Sequence, residues 1–140
     1  MFEFILVVAM ADTPMQTLDS LVGRSDIVVE GAIHSCALQA RQYHCTLKIG
    51  RVFKGNVSTS ATLCGSSVSN EAPKLPTYEG LHNFFFLRYG EDCLRLFNNE
   101  YKGIARVVNE RVHASVEPYS PEGIPIGEFE KSIQRVVESK

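Results

Sequence analysis

Between Tyr43 and Phe53 every second position, occupied by Tyr43, Cys45, Leu47, Ile49, Arg51 and Phe53, repeats with the period of a β-strand. A helix would scatter these side chains around its circumference, whereas a strand sets them on one face. The run Ile27-Val28-Val29-Glu30-Gly31-Ala32-Ile33 precedes it, and Ala37 to Gln42 is read as the loop between two long antiparallel strands. Lys54-Gly55-Asn56 then supplies a tight turn into Val57, Thr59, Ala61 and Leu63, so three strands in meander order are predicted.

Asn83-Phe84-Phe85-Phe86-Leu87-Arg88-Tyr89 is apolar without alternation at its centre, which predicts a strand buried on both faces. Gly90-Glu91-Asp92 turns the chain into Cys93 to Phe97, and Asn98-Asn99 turns it again before Ile104 to Val108 and Val112 to Val116. Pro118, Pro121 and Pro125 are expected to exclude regular structure up to Gly127. After them, Phe129, Ile133, Val136 and Val137 recur at helical spacing, predicting an amphipathic helix over residues 128–138.

At the amino end, Phe4 to Met10 is far shorter than the ~20 residues a membrane-spanning helix needs. Ending in Ala9-Met10-Ala11, residues 1–11 read either as a signal-peptide remnant or as an N-terminal strand. Thr13-Pro14-Met15-Gln16 resembles a helix start, predicting a short helix with Met15, Leu18, Leu21 and Val22 on one face and its end at Gly23. The 140 residues show no internal repeat, linker or low-complexity tract, and are read as a single domain, 1–140. A net charge of −2, from 14 Lys and Arg against 16 Asp and Glu, lacks the basic excess of a dedicated nucleic-acid binder.

Many short strands with few helices predict a mainly β fold: a five-stranded OB-like Greek-key barrel with a short N-terminal helix and a C-terminal amphipathic helix. Ser25-Asp26-Ile27-Val28-Val29-Glu30-Gly31, Tyr43 to Gly50 leading into Arg51-Val52-Phe53-Lys54-Gly55, Cys64-Gly65 and Phe84 to Leu87 together resemble the netrin-like module of tissue inhibitors of metalloproteinases. They also resemble uncharacterised exported bacterial proteins that share that barrel. The resemblance covers roughly residues 20–98 and implies the barrel. Inhibition is not implied with it, because those inhibitors bind the protease zinc through an amino-terminal Cys, and the first Cys in this chain is Cys36.

Cys36, Cys45, Cys64 and Cys93 form no C-x-x-C pair, so they read as disulfide candidates or buried thiols, not as a zinc or redox motif. Counted from Ile27 and Ile49 as core-facing, Cys36 points outward and Cys45 inward, so a bulge is needed for them to meet. His34, His44, His82 and His113 are scattered singly and suggest no metal site. Neither a nucleophile elbow, a zincin helix, a phosphate-binding loop nor a dinucleotide fingerprint occurs, so no catalytic residue and no cofactor is expected. Glu91-Asp92 is a carboxylate pair that a solvated turn accounts for. Asn56-Val57-Ser58 matches the glycosylation tripeptide, of consequence only in a eukaryotic secretory pathway.

Phe84 to Phe86 are assigned to the core instead of to a base-stacking surface, and Arg41, Arg51, Arg88, Arg95, Arg106 and Arg111 are dispersed along the chain. The polar stretch from Gly65 to Gly80 is then the expected binding loop, through Ser66, Ser67, Ser69, Asn70, Lys74 and Tyr78. The expected function is that of a non-enzymatic, periplasmic or extracellular module binding a protein or cell-envelope component. The competing expectations are a cytosolic OB-fold binder of single-stranded nucleic acid or a small ligand, and a protease inhibitor using another loop.

Overall fold

The computed structural model describes residues 16–39, 41–66, 80–97 and 103–139. Its framework is a hairpin of two strands, β1 (Ile27–Gln39) and β2 (Gln42–Lys54), each 13 residues long. Then come β3 (Ser60–Ser66), β4 (His82–Tyr89) and β5 (Leu94–Leu96). The order β1-β2-β3-β5-β4, with β4 returning to pair with β1, closes these five strands into a barrel. Every contact around it is antiparallel except β3 with β5, which run parallel at Leu63 and Leu94. Beyond β4 the sheet continues through β6 (Ile104–Val108), β7 (Arg111–His113) and β8 (Ile124–Pro125). A short helix, α1 (Leu18–Arg24), precedes the barrel, and a longer one, α2 (Ile126–Glu138), closes the chain.

The expected mainly β barrel with a short helix near the amino end and a C-terminal helix is what the chain forms. Its central strand is β4. Phe85 and Leu87 point into the barrel with Ile33, Leu47 and Leu63, all inaccessible to solvent. Phe84 and Phe86 point outward, yet they are equally inaccessible, because Leu21 and Val22 of α1 and Phe129, Ile133 and Val136 of α2 cover them. The Phe129 ring meets Phe84 edge-on at 5.0 Å and Phe86 at 6.5 Å. One strand thus forms the wall between two apolar cores, and this is why its sequence has no polar alternation.

Closing so few strands requires strong coiling, and the β1–β2 register slips at Val28/Val29, Glu30/Gly31 and Ile33/Ser35. The third slip leaves His34 without an opposite residue, and the parity of everything after it inverts. Cys36 and Cys45 thereby become direct partners joined by a disulfide. At the next turn, Lys54 donates from Nζ to the carbonyls of Val22 (2.8 Å) and Gly23 (3.2 Å), covering the open end of α1. Gly55 follows at φ +93°, where a Cβ would stand 2.7 Å from the Asp26 carbonyl oxygen.

Several boundaries differ from those the residue pattern predicts. Residues 37–39 and 42 belong to the hairpin strands, so the strands run into the expected loop, and Arg41 takes up φ 68° at its end. β3 begins at Ser60 and not at Val57, and β7 ends at His113 instead of reaching Val116. The prolines do not hold off regular structure to Gly127. Pro125 ends the two-residue edge strand β8, where its missing N–H costs no ladder bond, and α2 starts at Ile126. The first helix is capped by the hydroxyl of Thr17, which accepts from the Ser20 amide at 3.1 Å, and it runs through Gly23 to a C-cap at Ser25. Residues 1–15, including the proposed signal remnant and the Thr13-Pro14 helix start, lie outside the described residues.

Candidate functional site

Among the described residues two features stand out once the cores are filled. The first is a groove of about 410 Å³ at the end of the barrel where β2 hands over to β3 and β4 to β5. Ile27, Val57 and Leu94 supply its apolar surface, while Asn56, Ser58, Tyr89, Glu91 and Asp92 form an exposed, polar rim. Tyr89 is 59% exposed. A smaller groove of about 160 Å³ continues along β2 past Ile49 and Val52, sharing Val57 and Ser58 as a wall. The rim is anchored covalently, since Cys93 in the β4–β5 turn is disulfide-bonded to Cys64 on β3. The turn is also closed by the Gly90 amide donating to the Cys93 carbonyl at 2.9 Å.

The second is an ionisable seam between the barrel and α2. Glu30 is the carboxylate within the apolar run of β1 and is only 9% exposed. Its Oε2 accepts from His82 Nε2 at 2.5 Å. Across the seam, Glu130 on α2 is 3.4 Å from Arg51 on β2. Burial, followed by the hydrogen bond and negative charge of Glu30, pushes the Glu130 carboxyl above the usual glutamate range, while Arg51 and His82 pull it back. The seam therefore favours the protonated form of Glu130 more than open solvent does. Glu30, His82 and Glu130 line neither groove, and the arrangement reads as a latch for α2 instead of a substrate site.

Of the expected binding residues, Ser66 ends β3, while Ser67, Ser69, Asn70, Lys74 and Tyr78 lie outside the described residues. The barrel-end groove is at the opposite end of the strands from Ser66, because Ser66 pairs with Gln42 at the hairpin tip while Tyr89 and Leu94 pair at the other end. All four cysteines meet in the pairs Cys36–Cys45 and Cys64–Cys93. Among the described residues no group of three or more His, Cys, Asp or Glu side chains is placed to hold a metal ion. No described helix is long and apolar enough to cross a membrane. The arginines do not share one face: Arg41 sits at the hairpin tip, Arg51 at the seam, and Arg111 donates to the Gly123 carbonyl at 3.0 Å. The seam was missed by sequence reasoning; its only trace there is a carboxylate, Glu30, inside an apolar strand.

No protein-family model matches this chain, and no curated protein matches it. What defines its class is the closed five-stranded barrel with a helical cover.

Proposed function

We propose that this protein is a non-enzymatic, exported binding module of OB-like, netrin-like build, which docks an extended segment of a partner protein in the barrel-end groove. The strand order, with β3 parallel to β5 and β4 closing on β1, favours the OB-like reading. Two disulfides favour an oxidising compartment, periplasmic or extracellular. The barrel interior is filled by Ile33, Leu47, Leu63, Phe85 and Leu87, so a ligand has to engage the outside. The groove carries the argument: an exposed tyrosine over apolar ground, flanked by Glu91 and Asp92, fits an extended segment with a Lys or Arg side chain. Burial of Phe84, Phe85 and Phe86 withholds the aromatic platform that the oligonucleotide reading needs.

Selection from a random peptide library tests it. The expected binders carry a basic residue, lose affinity with Asp92→Lys and Tyr89→Ala, and keep it when Ser69 to Thr77 is deleted. Affinity that survives both groove substitutions but vanishes with the deletion would move docking to the deleted segment and overturn the groove. Alkylation and mass spectrometry of protein from its native host test export separately, with all four thiols expected to be blocked.

A further inference from the structure

We propose that the outer surface of β4 and β5, beside the last turn of α1, is an anion site in which Arg24, Arg88 and Arg95 receive a phosphate or sulfate monoester group. The site is distinct from the peptide groove and does not depend on it.

Arg88 and Arg95 are direct cross-strand partners. Like charges placed opposite each other destabilise a sheet, and no carboxylate among the described residues pairs with Arg95 to relieve them. Arg24 approaches from the helix. Its guanidinium carbon lies 5.6 Å from the centre of the buried Phe97 ring, and that of Arg88 lies 5.7 Å from the same centre. Two cations therefore lie against one ring, and Arg95 stands opposite one of them on the neighbouring strand, all three side chains being exposed.

Asp26 orients one of these arginines. Its Oδ2 accepts the Tyr89 amide at 2.9 Å, and the same oxygen lies 3.5 Å from Arg88 Nε. With its Nε side turned to Asp26 as an ion pair, Arg88 presents its two terminal amino groups for a bidentate fork to an oxyanion. One carboxylate against three guanidiniums leaves an excess that matches a dianion better than a carboxylate ligand. The carboxyl end of α1 would repel an anion, but its carbonyls at Val22 and Gly23 are already covered by the Lys54 ammonium. Glu91 and Asp92, the nearest acids along β4–β5, line the groove.

Titration of the full chain with inorganic phosphate, followed by NMR of the arginine Nε–H groups, reads the site directly. Saturable shifts of Arg24, Arg88 and Arg95 are expected, stronger with phosphate or sulfate than with acetate. The double variant R24Q/R95Q, which leaves the Arg88–Asp26 contact in place, should bind phosphate about tenfold or more weakly. R41Q removes one positive charge at the opposite end of the barrel and should bind like wild type. Competition by a heparin hexasaccharide would assign the ester to a soluble glycan, and competition by phosphatidate vesicles to a lipid headgroup; either agrees with the site. No saturable shift, an unchanged affinity in R24Q/R95Q with an unaltered melting temperature, or an equal loss in R41Q would overturn it.

Discussion

Cys36 and Cys45 face each other across β1 and β2 with their Cα atoms 4.0 Å apart, because His34 is squeezed out of the ladder just before them. Without that extra residue Cys36 would lie on the outer face and Cys45 on the inner one. The bulge and the disulfide are thus one feature: the first sets the parity that the second locks.

The two disulfides close loops of different length, with sequence separations of 9 and 29. By loop-closure entropy, C36S/C45S should lose about 2 to 3 kcal/mol and C64S/C93S about 3 to 4 kcal/mol. Urea denaturation of each double variant checks the order. In C64S/C93S the β4–β5 turn should also lose amide protection, because its tie to β3 is gone.

Glu130 makes stability depend on pH in an unusual direction for a carboxylate. Its folded-state pKa is raised, chiefly by burial and then by Glu30, so the native state holds its proton more tightly than the unfolded chain does. The stabilisation it gives is complete at pH below the ordinary glutamate value and is lost as pH rises through the raised value. Glu130→Gln keeps a neutral hydrogen-bonding group and should flatten this part of the profile, leaving the variant more stable than wild type at neutral pH. Thermal melts between acid and neutral pH check it; a parallel offset of the two curves would count against the raised Glu130 pKa.

Phe84 and Phe85 are neighbours in sequence and serve different cores. Replacing either with Ala should cost about 3 to 5 kcal/mol. The effects should separate in hydrogen exchange. Phe84→Ala removes the ring against which Phe129 packs and should raise exchange selectively in α2, whereas Phe85→Ala should raise it around Leu47 and Leu63 inside the barrel.

The parts of this fold that are legible in the sequence are those whose period is set by burial. The apolar run of β4 announces two covered faces, and Phe129, Ile133 and Val136 announce the stripe of α2. The need for a bulge before Cys36 follows from counting parity. The helix Leu18–Arg24 is harder to place, because its cap at Thr17 carries no Pro or Gln signal of the kind that marks Thr13. The choice at Thr17 is tertiary: it forms an isolated bridge with Glu117, whose amide donates to the Gln16 carbonyl, and this keeps residues 16 and 17 extended. The hairpin likewise outruns its predicted loop because β3 supports β2 on its other side as far as Gln42. Glu30 and Glu130, and the arginines around Phe97, meet only through the closure of the barrel and the docking of the helices, so no local spacing encodes them.

Since β4 is the wall between both cores, the helical layer is no detachable ornament. Cutting it away would turn Phe84 and Phe86 toward water on the strand that also completes the cylinder. The two layers are therefore constrained to change together, and the strand beneath the helices is the one that Tyr89 ends at the rim.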